Sequence, residues 1–364
     1  MKVLHIIPTL RAGGAEKLSV DLLVSMKNQG IDAELLILDG EDSRFMKPLA
    51  EKEISVTISS VKNAYSVRQI REIREIVGRS HPDIVHAHLF PAQLWSACSL
   101  HSLEIPLITT EHSTYNRRRK HLLCKILDCR MYGKYRRIIC NSLATKKALE
   151  EWLPELSLKT VLIYNGIAED VYAKAEPYPK RSFIPVDPDH LRVIVKVSRF
   201  TQAKDHTTVI HALSILPDRY HLLLVGEGPK ETETRRWVES IGVSKRVHFL
   251  GVREDVPRVL KTADILVQSS HWEGFGLSVV EGMAAGLPVI VSETPGLAET
   301  FANSVQTFPR GDAKALSERI LNLENPSLYE NQKEKSLAAA KKFGISGMVS
   351  EYVKVYNQVL EEKL

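Results

Sequence analysis

Seven short apolar runs, separated by polar stretches with helical spacing, fill the first half of the chain and constrain its fold more than any other feature. Val3 to Ile7, Ala33 to Leu38, Val56 to Ser59, Ile84 to Ala87, Leu107 to Thr110, Ile138 to Cys140 and Val161 to Tyr164 read as strands. Polar-periodic stretches such as Ala15 to Lys27 and Val67 to Val77 read as the helices between them. Strands that are apolar without alternation are buried on both faces, which means an α/β fold with a parallel sheet under helices. Ligands bind such sheets beyond the carboxyl ends of the strands, so the residues just after each strand are the ones to read for chemistry.

At 364 residues and 44% apolar content the chain has material for two domains. Prolines at 177, 179, 185 and 188 interrupt the pattern, and a new series of strands follows at Val193 to Val197, Leu222 to Val225, Val247 to Leu250, Ala263 to Val267 and Leu287 to Val291. The expected division is a first domain over 1–167, a linker with little regular structure over 168–190, a second domain over 191–345 and a terminal helix over 346–364. No run is long enough to span a membrane, and Met1 to Pro8 reads as a first strand and not as a secretory signal, so a cytoplasmic protein is expected. Cys98, Cys124, Cys129 and Cys140 form no C-x-x-C pair, which points to reduced, mostly buried thiols.

The stretch from Ser269 to Gly286 concentrates the chemistry. A strand leads into it, Gly274 and Gly276 break the backbone, and a helix-forming run follows to Ala285. Glycines let main chain approach a ligand, and the first amides of the helix behind them are unpaired donors carrying partial positive charge, an arrangement that suits phosphate. Plain turn chemistry gives the same pattern in many α/β folds. Glu273 and Glu281 are too far apart to share a helical face and address different parts of one ligand. Arg199, ending a strand, and Lys204, entering a helix, can converge on a diphosphate, the arginine as a fork and the lysine as a point charge.

Four other strand ends carry candidates. Gly13 and Gly14, in Arg11-Ala12-Gly13-Gly14, open a helix after the first strand, as a simple turn or as a loop lining a ligand site. His112 follows the fifth strand. His86 and His88 alternate onto one face, packed or lining the site. Gly226-Glu227-Gly228-Pro229 lacks the third glycine of a dinucleotide fingerprint, so no NAD site is read there.

From Tyr115 to Arg137 nine cations face one acid, Asp128, more net charge than the +5 of the whole chain. Leu122, Leu123, Ile126, Leu127 and Met131 recur at helical spacing within it, so the segment reads as a basic amphipathic helix. Two readings compete: an ordinary helix with its apolar stripe in the core, or contact with anionic lipid headgroups or the pyrophosphate of a lipid-linked acceptor through Arg117, Arg118, Arg119 and Lys120. Its place right after His112 favours the second. Nucleic acid is not expected, because no aromatic residues are interleaved as stacking platforms. Asp187-Pro188-Asp189 looks like a D-x-D metal site but has the proline and setting of a turn.

The segment Glu273-Gly274-Phe275-Gly276-Leu277 with Glu281 resembles the E-x7-E signature of retaining glycosyltransferases of family 4. The resemblance extends along nearly the whole chain through the Gly-Gly loop, the strand-end histidine, the Asn165-Gly166 turn and the Arg199/Lys204 pair. It implies the GT-B fold: two Rossmann-like domains facing across a cleft, with a C-terminal helix crossing back to the first. It implies transfer of a sugar, with retention, from a nucleotide-sugar such as a UDP-hexose or UDP-N-acetylhexosamine to a saccharide acceptor, lipid-linked in surface polysaccharide or glycoconjugate synthesis, with peripheral attachment to the inner membrane face. No metal and no cofactor are implied.

By the same resemblance His112, Glu273, Arg199 and Lys204 are catalytic. Gly13, Gly14, Gly274, Phe275, Gly276, Leu277 and Glu281 join them around the donor, and main chain at Val252 and Arg253 meets the nucleobase. Departures are Ser198 and Asp205, where the family often has glycine, and Gly282, where it usually has alanine and which places a second glycine near the ligand at a propensity cost of about 1 kcal/mol. A sugar-nucleotide epimerase should lack this glutamate spacing, and a sugar phosphorylase should need a pyridoxal lysine. A non-catalytic nucleotide-sugar or membrane-surface binding protein should lose His112 and Glu273.

Overall fold

The apolar runs of the first half pair as one all-parallel sheet. The computed structural model describes residues 1–11, 13–40, 45–101, 103–185 and 191–362, without the side chain of Arg117. The strands are β1 (Lys2–Ile7), β2 (Asp32–Ile37), β3 (Val56–Ile58), β4 (Ile84–His88), β5 (Leu107–Glu111), β6 (Arg137–Cys140) and β7 (Thr160–Leu162), in the order β3-β2-β1-β4-β5-β6-β7. A second parallel sheet holds β8 (Arg192–Val197), β9 (Tyr220–Val225), β10 (Val247–Gly251), β11 (Ile265–Gln268), β12 (Val289–Ser292) and β13 (Gln306–Phe308), in the order β10-β9-β8-β11-β12-β13. The sequence reading missed β13, a three-residue edge strand too short to show a pattern. In each sheet the order reverses once, between β1 and β4 and between β8 and β11. Such reversals part the flanking loops and open a crevice at the carboxyl edge.

The chain divides into two units, Met1–Gly166 with Ile345–Leu364, and Ile167–Gly344. The first helix, Gly14–Asn28, buries Leu18, Leu22, Leu23 and Met26, the i, i+4 stripe that sequence spacing predicts. The terminal helix, Ile345–Glu361, packs in the first unit through Met348, Val349, Tyr352, Val355, Tyr356 and Val359. Tyr356 Oη meets His86 Nδ1 at 2.6 Å and Tyr352 Oη meets Thr110 Oγ1 at 3.2 Å.

The expected linker is more structured than its prolines suggest. It forms the helix Glu169–Ala173, and Ile167, Tyr172 and Ile184 sit in the core of the second unit. Asp187-Pro188-Asp189 and Ala12 lie outside the described residues. All four cysteines are free, but only Cys140 is buried, the other three being half-buried, which corrects the expectation of mostly buried thiols. No described helix is long and apolar enough to cross a membrane.

Candidate active site

In the second unit the predicted residues gather at the β8/β11 reversal. β8 ends at Val197, and Ser198 to Asp205 lead into the helix His206–Ile215. Asp205 holds φ at +44°, a left-handed conformation that explains why glycine suits this position. Aspartate tolerates it here because its carboxylate caps the helix, accepting from Thr208 N at 3.2 Å and Thr208 Oγ1 at 2.6 Å. Ser198 Oγ meets His206 Nε2 at 3.2 Å.

Lys204 Nζ forms a short ion pair with Glu273 Oε2, which brings the cation and the first glutamate of the motif together. Gln268 Nε2 donates to the same oxygen at 3.3 Å, and Gly274 N donates to Glu273 Oε1 at 3.3 Å. Burial pushes the Glu273 carboxyl up, but Lys204, Gln268 and the Gly274 amide together hold it below the usual range. Arg199 is exposed, and its carbonyl accepts from Thr201 N at 2.9 Å while its guanidinium makes no hydrogen bond or ion pair among the described residues.

Gly276, at φ +91°, turns the loop into the helix Leu277–Ala284. Gly296 supports that loop from behind: at φ +88° any Cβ would lie 2.4 Å from the Glu273 carbonyl oxygen and 2.9 Å from that of Gly274.

Phe275, predicted at the donor, and Gly282, expected near the ligand, take other roles. The Phe275 ring is 2% exposed and packs edge-on to Phe301 and Phe343 at 5.5 and 5.6 Å, so only its main chain is left for a ligand. Gly282 faces β11, where a Cβ would lie 2.7 Å from Leu266 Cδ1, so it serves helix-to-sheet packing and not the ligand. Leu277 packs partly buried against the same core.

Glu281 is 7% exposed and accepts from Tyr172 Oη at 2.6 Å. The reading did not find Tyr172, because an aromatic residue in a proline-interrupted stretch gives no periodic signal. Val252 and Arg253 follow β10, whose Gly251 carbonyl accepts from Gly226 N at 2.7 Å. The Arg253 side chain forks onto Asp255 at 2.7 and 2.6 Å, a pairing that holds the Asp255 carboxyl down at about 2 and commits the guanidinium locally.

In the first unit, the β1/β4 reversal is filled with histidines. His5 Nδ1 meets His88 Nε2 at 2.9 Å, and His86 stacks on His88 with centroids 4.2 Å apart. His86 Nε2 meets Thr110 Oγ1 at 2.9 Å. All three rings are buried, which resolves the open question about His86 and His88 in favour of packing. Burial pushes His5 down to about 3, and His86 and His88 also well below the ordinary histidine value, so the stack is neutral.

His112 lies beside them, 5.8 Å from His88 between centroids. Burial pushes it down to about 4 against the opposing pull of Glu111, and its Nε2 has no hydrogen-bond partner among the described residues. Gly13 caps the first helix with extended backbone, φ −169°, and Gly14 begins it. A Cβ on Gly13 would strike the Glu16 carboxylate at 2.1 Å.

The basic segment departs from expectation in both its halves. Arg117–Lys120 is a 3-10 turn and Leu122–Gly133 a helix. Arg118 is tucked inward, 3.9 Å over the Phe90 ring and 3.4 Å from Asp128, and Arg119 Nη2 lies 3.7 Å from Glu111. Neither forms part of an open basic face, which leaves Lys120 as the exposed cation of the turn among the described side chains. The apolar stripe, in contrast, is outside: Leu122 is 81%, Leu123 83%, Ile126 54% and Leu127 40% exposed, and of the five only Met131 is buried.

Two family models match the chain, one described as Glycosyltransferase Family 4 over residues 12–171 and one as Glycosyl transferases group 1 over residues 179–342. An uncharacterized glycosyltransferase of Haemophilus influenzae is 23% identical over 94% of this chain and 95% of its own. The N,N'-diacetylbacillosaminyl-diphospho-undecaprenol alpha-1,3-N-acetylgalactosaminyltransferase of Campylobacter jejuni is 30% identical over 48% of this chain and 46% of its own. Anabaena HepE, solved with UDP and glucose, has a TM-score of 0.86 at 21% identity, covering 98% of this chain and all, 100%, of that one. At that identity the likeness is one of fold.

Proposed function

The chain belongs to the family 4 glycosyltransferases of GT-B fold, matched by one family model in each half, and on that premise we propose that it moves a sugar from a UDP-hexose or UDP-N-acetylhexosamine to a lipid-linked saccharide, with retention at the anomeric carbon and without a metal ion. The observation that carries the reading is the Lys204–Glu273 ion pair at the entrance to the glycine loop. It sets a cation, a carboxylate and the start of a helix at one strand-order reversal. In this reading Lys204, the exposed Arg199 and the amides after Gly276 neutralise the departing diphosphate. Fixed donors aimed at developing charge are worth several kcal/mol, typically about 2.7–4 for one of them. Glu281, steadied by Tyr172, takes the ribose hydroxyls, Glu273 the donor sugar, and main chain at Val252 and Arg253 the base. His112, neutral by virtue of its burial, offers a hydrogen bond and not a charge to the transferred sugar.

The acceptor side of the proposal draws on the exposed leucines. Leu122, Leu123, Ile126 and Leu127 stand beside Lys120, Lys125 and Arg130, the apolar-plus-cationic combination that seats a helix in an anionic bilayer surface. The Campylobacter relative is named for an undecaprenol-linked substrate, in keeping with this choice of acceptor class. The test is a panel of radiolabelled UDP- and GDP-sugars, with slow hydrolysis read first, in the presence and absence of EDTA. Activity with a UDP-sugar that persists in EDTA is expected, and Lys204→Met should lower kcat/KM about 100-fold or more. A requirement for a divalent ion, or a Lys204→Met variant of full activity, overturns the reading.

A further inference from the structure

β8 reads Arg-Val-Ile-Val-Lys-Val, and its fifth residue interrupts an otherwise apolar interior. Lys196 is 0% exposed. A buried ammonium loses its hydration and persists only with partners. Lys196 Nζ donates to the Ser269 carbonyl at 2.9 Å and to Ser269 Oγ at 3.2 Å. Ser269 Oγ in turn donates to the Asp205 carbonyl at 2.7 Å, and His271 N donates to the Ala203 carbonyl at 2.8 Å. The ammonium therefore ties the segment leaving β11 to the turn leaving β8. Those segments carry Glu273 and Lys204.

The ionisable groups facing it come from every neighbouring segment. Lys204 and Asp205 belong to the turn, His206 to the helix that follows, and Glu273 to the loop. His271 Nε2 lies 3.8 Å from Asp205 Oδ1. His206 is pushed down to about 2 by burial and by the two lysines, so it contributes no charge. With Lys196 protonated, two ammonium groups stand against the carboxylates of Asp205 and Glu273. Without its proton the cluster loses one positive charge and the charge assistance in both bonds to Ser269.

We infer that Lys196 is a positioning residue of the donor site, a buried latch whose protonated form holds the 269–273 segment against the 201–205 turn and keeps Lys204 and Glu273 paired beside the glycine loop. The inference rests on the reading of that loop as the nucleotide-sugar site. Burial first, and then Lys204, push Lys196 down to about 7 against the opposing pull of Asp205 and Glu273, which puts the release of the latch within the range where such an enzyme works. The donor site therefore loosens as pH rises through neutrality.

The test compares wild type with Lys196→Met and Lys196→Arg by hydrogen exchange of amides 269–276 at pH 6 and pH 8.5, corrected for intrinsic rates. Wild type should exchange about tenfold faster at the higher pH. Lys196→Met should be fast at both, and Lys196→Arg, always charged, should lose the pH dependence. UDP-glucose is the binding probe, because its diphosphate does not titrate in this range. Its dissociation constant should rise with a midpoint near pH 7 in wild type and stay flat in Lys196→Met. Exchange and affinity that are independent of pH in wild type, or a Lys196→Met variant that behaves as wild type, overturn the latch while leaving the donor reading intact. Exchange that follows Lys196 in a protein that binds no nucleotide sugar upholds the latch and removes the donor reading. Should Lys196→Met fail to fold, Ser269→Ala, which removes one acceptor and the link to Asp205, should speed exchange part-way, and unchanged exchange overturns the proposal.

Discussion

Replacing Gly282 by alanine sets two physical terms of opposite sign against each other. In an exposed helix the change would gain about 1 kcal/mol of helix propensity. Here the new methyl would sit 2.7 Å from Leu266 Cδ1 and 3.2 and 3.3 Å from its Cβ and Cγ. Leu266 is 0% exposed on β11, so its side chain has nowhere to turn, and a rotamer change would leave Cβ in place. Overpacking of this kind costs about 1–3 kcal/mol. The net runs from near zero to a loss of about 2 kcal/mol, which for a unit of this size lowers Tm by up to roughly 8 °C. Differential scanning calorimetry should show the loss in one of the two units only. The helix that shifts carries Glu281 and begins at the glycine loop, so the donor KM should rise as well. Trimming the partner in Leu266→Ala/Gly282→Ala should recover part of what the single change loses, as contacting residues couple in a double-mutant cycle. A Gly282→Ala protein that melts higher than wild type by the full propensity gain refutes the packing argument.

Two further outcomes follow from the first unit. Leu122→Ser/Leu123→Ser should leave Tm unchanged, since both side chains are more than 80% exposed, and should weaken sedimentation with phosphatidylglycerol vesicles about tenfold or more, each leucine contributing roughly 1.5–3 kcal/mol when buried in the bilayer surface; equal vesicle binding rejects the membrane contact. His5 is held at about 3, below its value in an unfolded chain, so its neutral form contributes full stability above about pH 6.5 and loses it as pH falls toward the folded value. At pH 5 the loss is about 2 kcal/mol. Urea titrations should therefore find the stability gap between wild type and His5→Gln narrower by that amount at pH 5 than at pH 7.5, and a gap that ignores pH refutes it.

How much of this was readable in advance depends on the kind of signal. Strand cores such as Val85 and Ile138 announce themselves because burial on both faces forces a continuous apolar run. Lys204 and Glu273 were legible as candidates, though not as a pair, because both lie at strand ends that a parallel sheet brings to one edge. Tyr172 and Lys196 were not, since each acts through a partner 109 or 73 positions away and neither belongs to a periodic pattern. Lys196 does leave a trace, a lone cation inside an apolar strand. The opposite error fell on Phe275 and on Arg118 and Arg119, where membership in a loop or a charge run was read as availability, although an aromatic ring in a small core and a guanidinium beside a buried acid are both consumed by packing.

The route of the backbone makes the second unit an insertion. It begins at Ile167 and ends at Gly344, and these two ends form a β-bridge, with Ile167 N donating to the Phe343 carbonyl at 2.9 Å. A gene fragment encoding residues 167–344 would thus have neighbouring termini and its own sheet. The remainder cannot be obtained by stopping translation at residue 166, because that would leave His86 and Thr110 without the tyrosines of the last helix. It calls for a splice from 166 to 345, and a stop codon just before residue 345 would injure the unit that holds residues 1–166 and leave the inserted one whole.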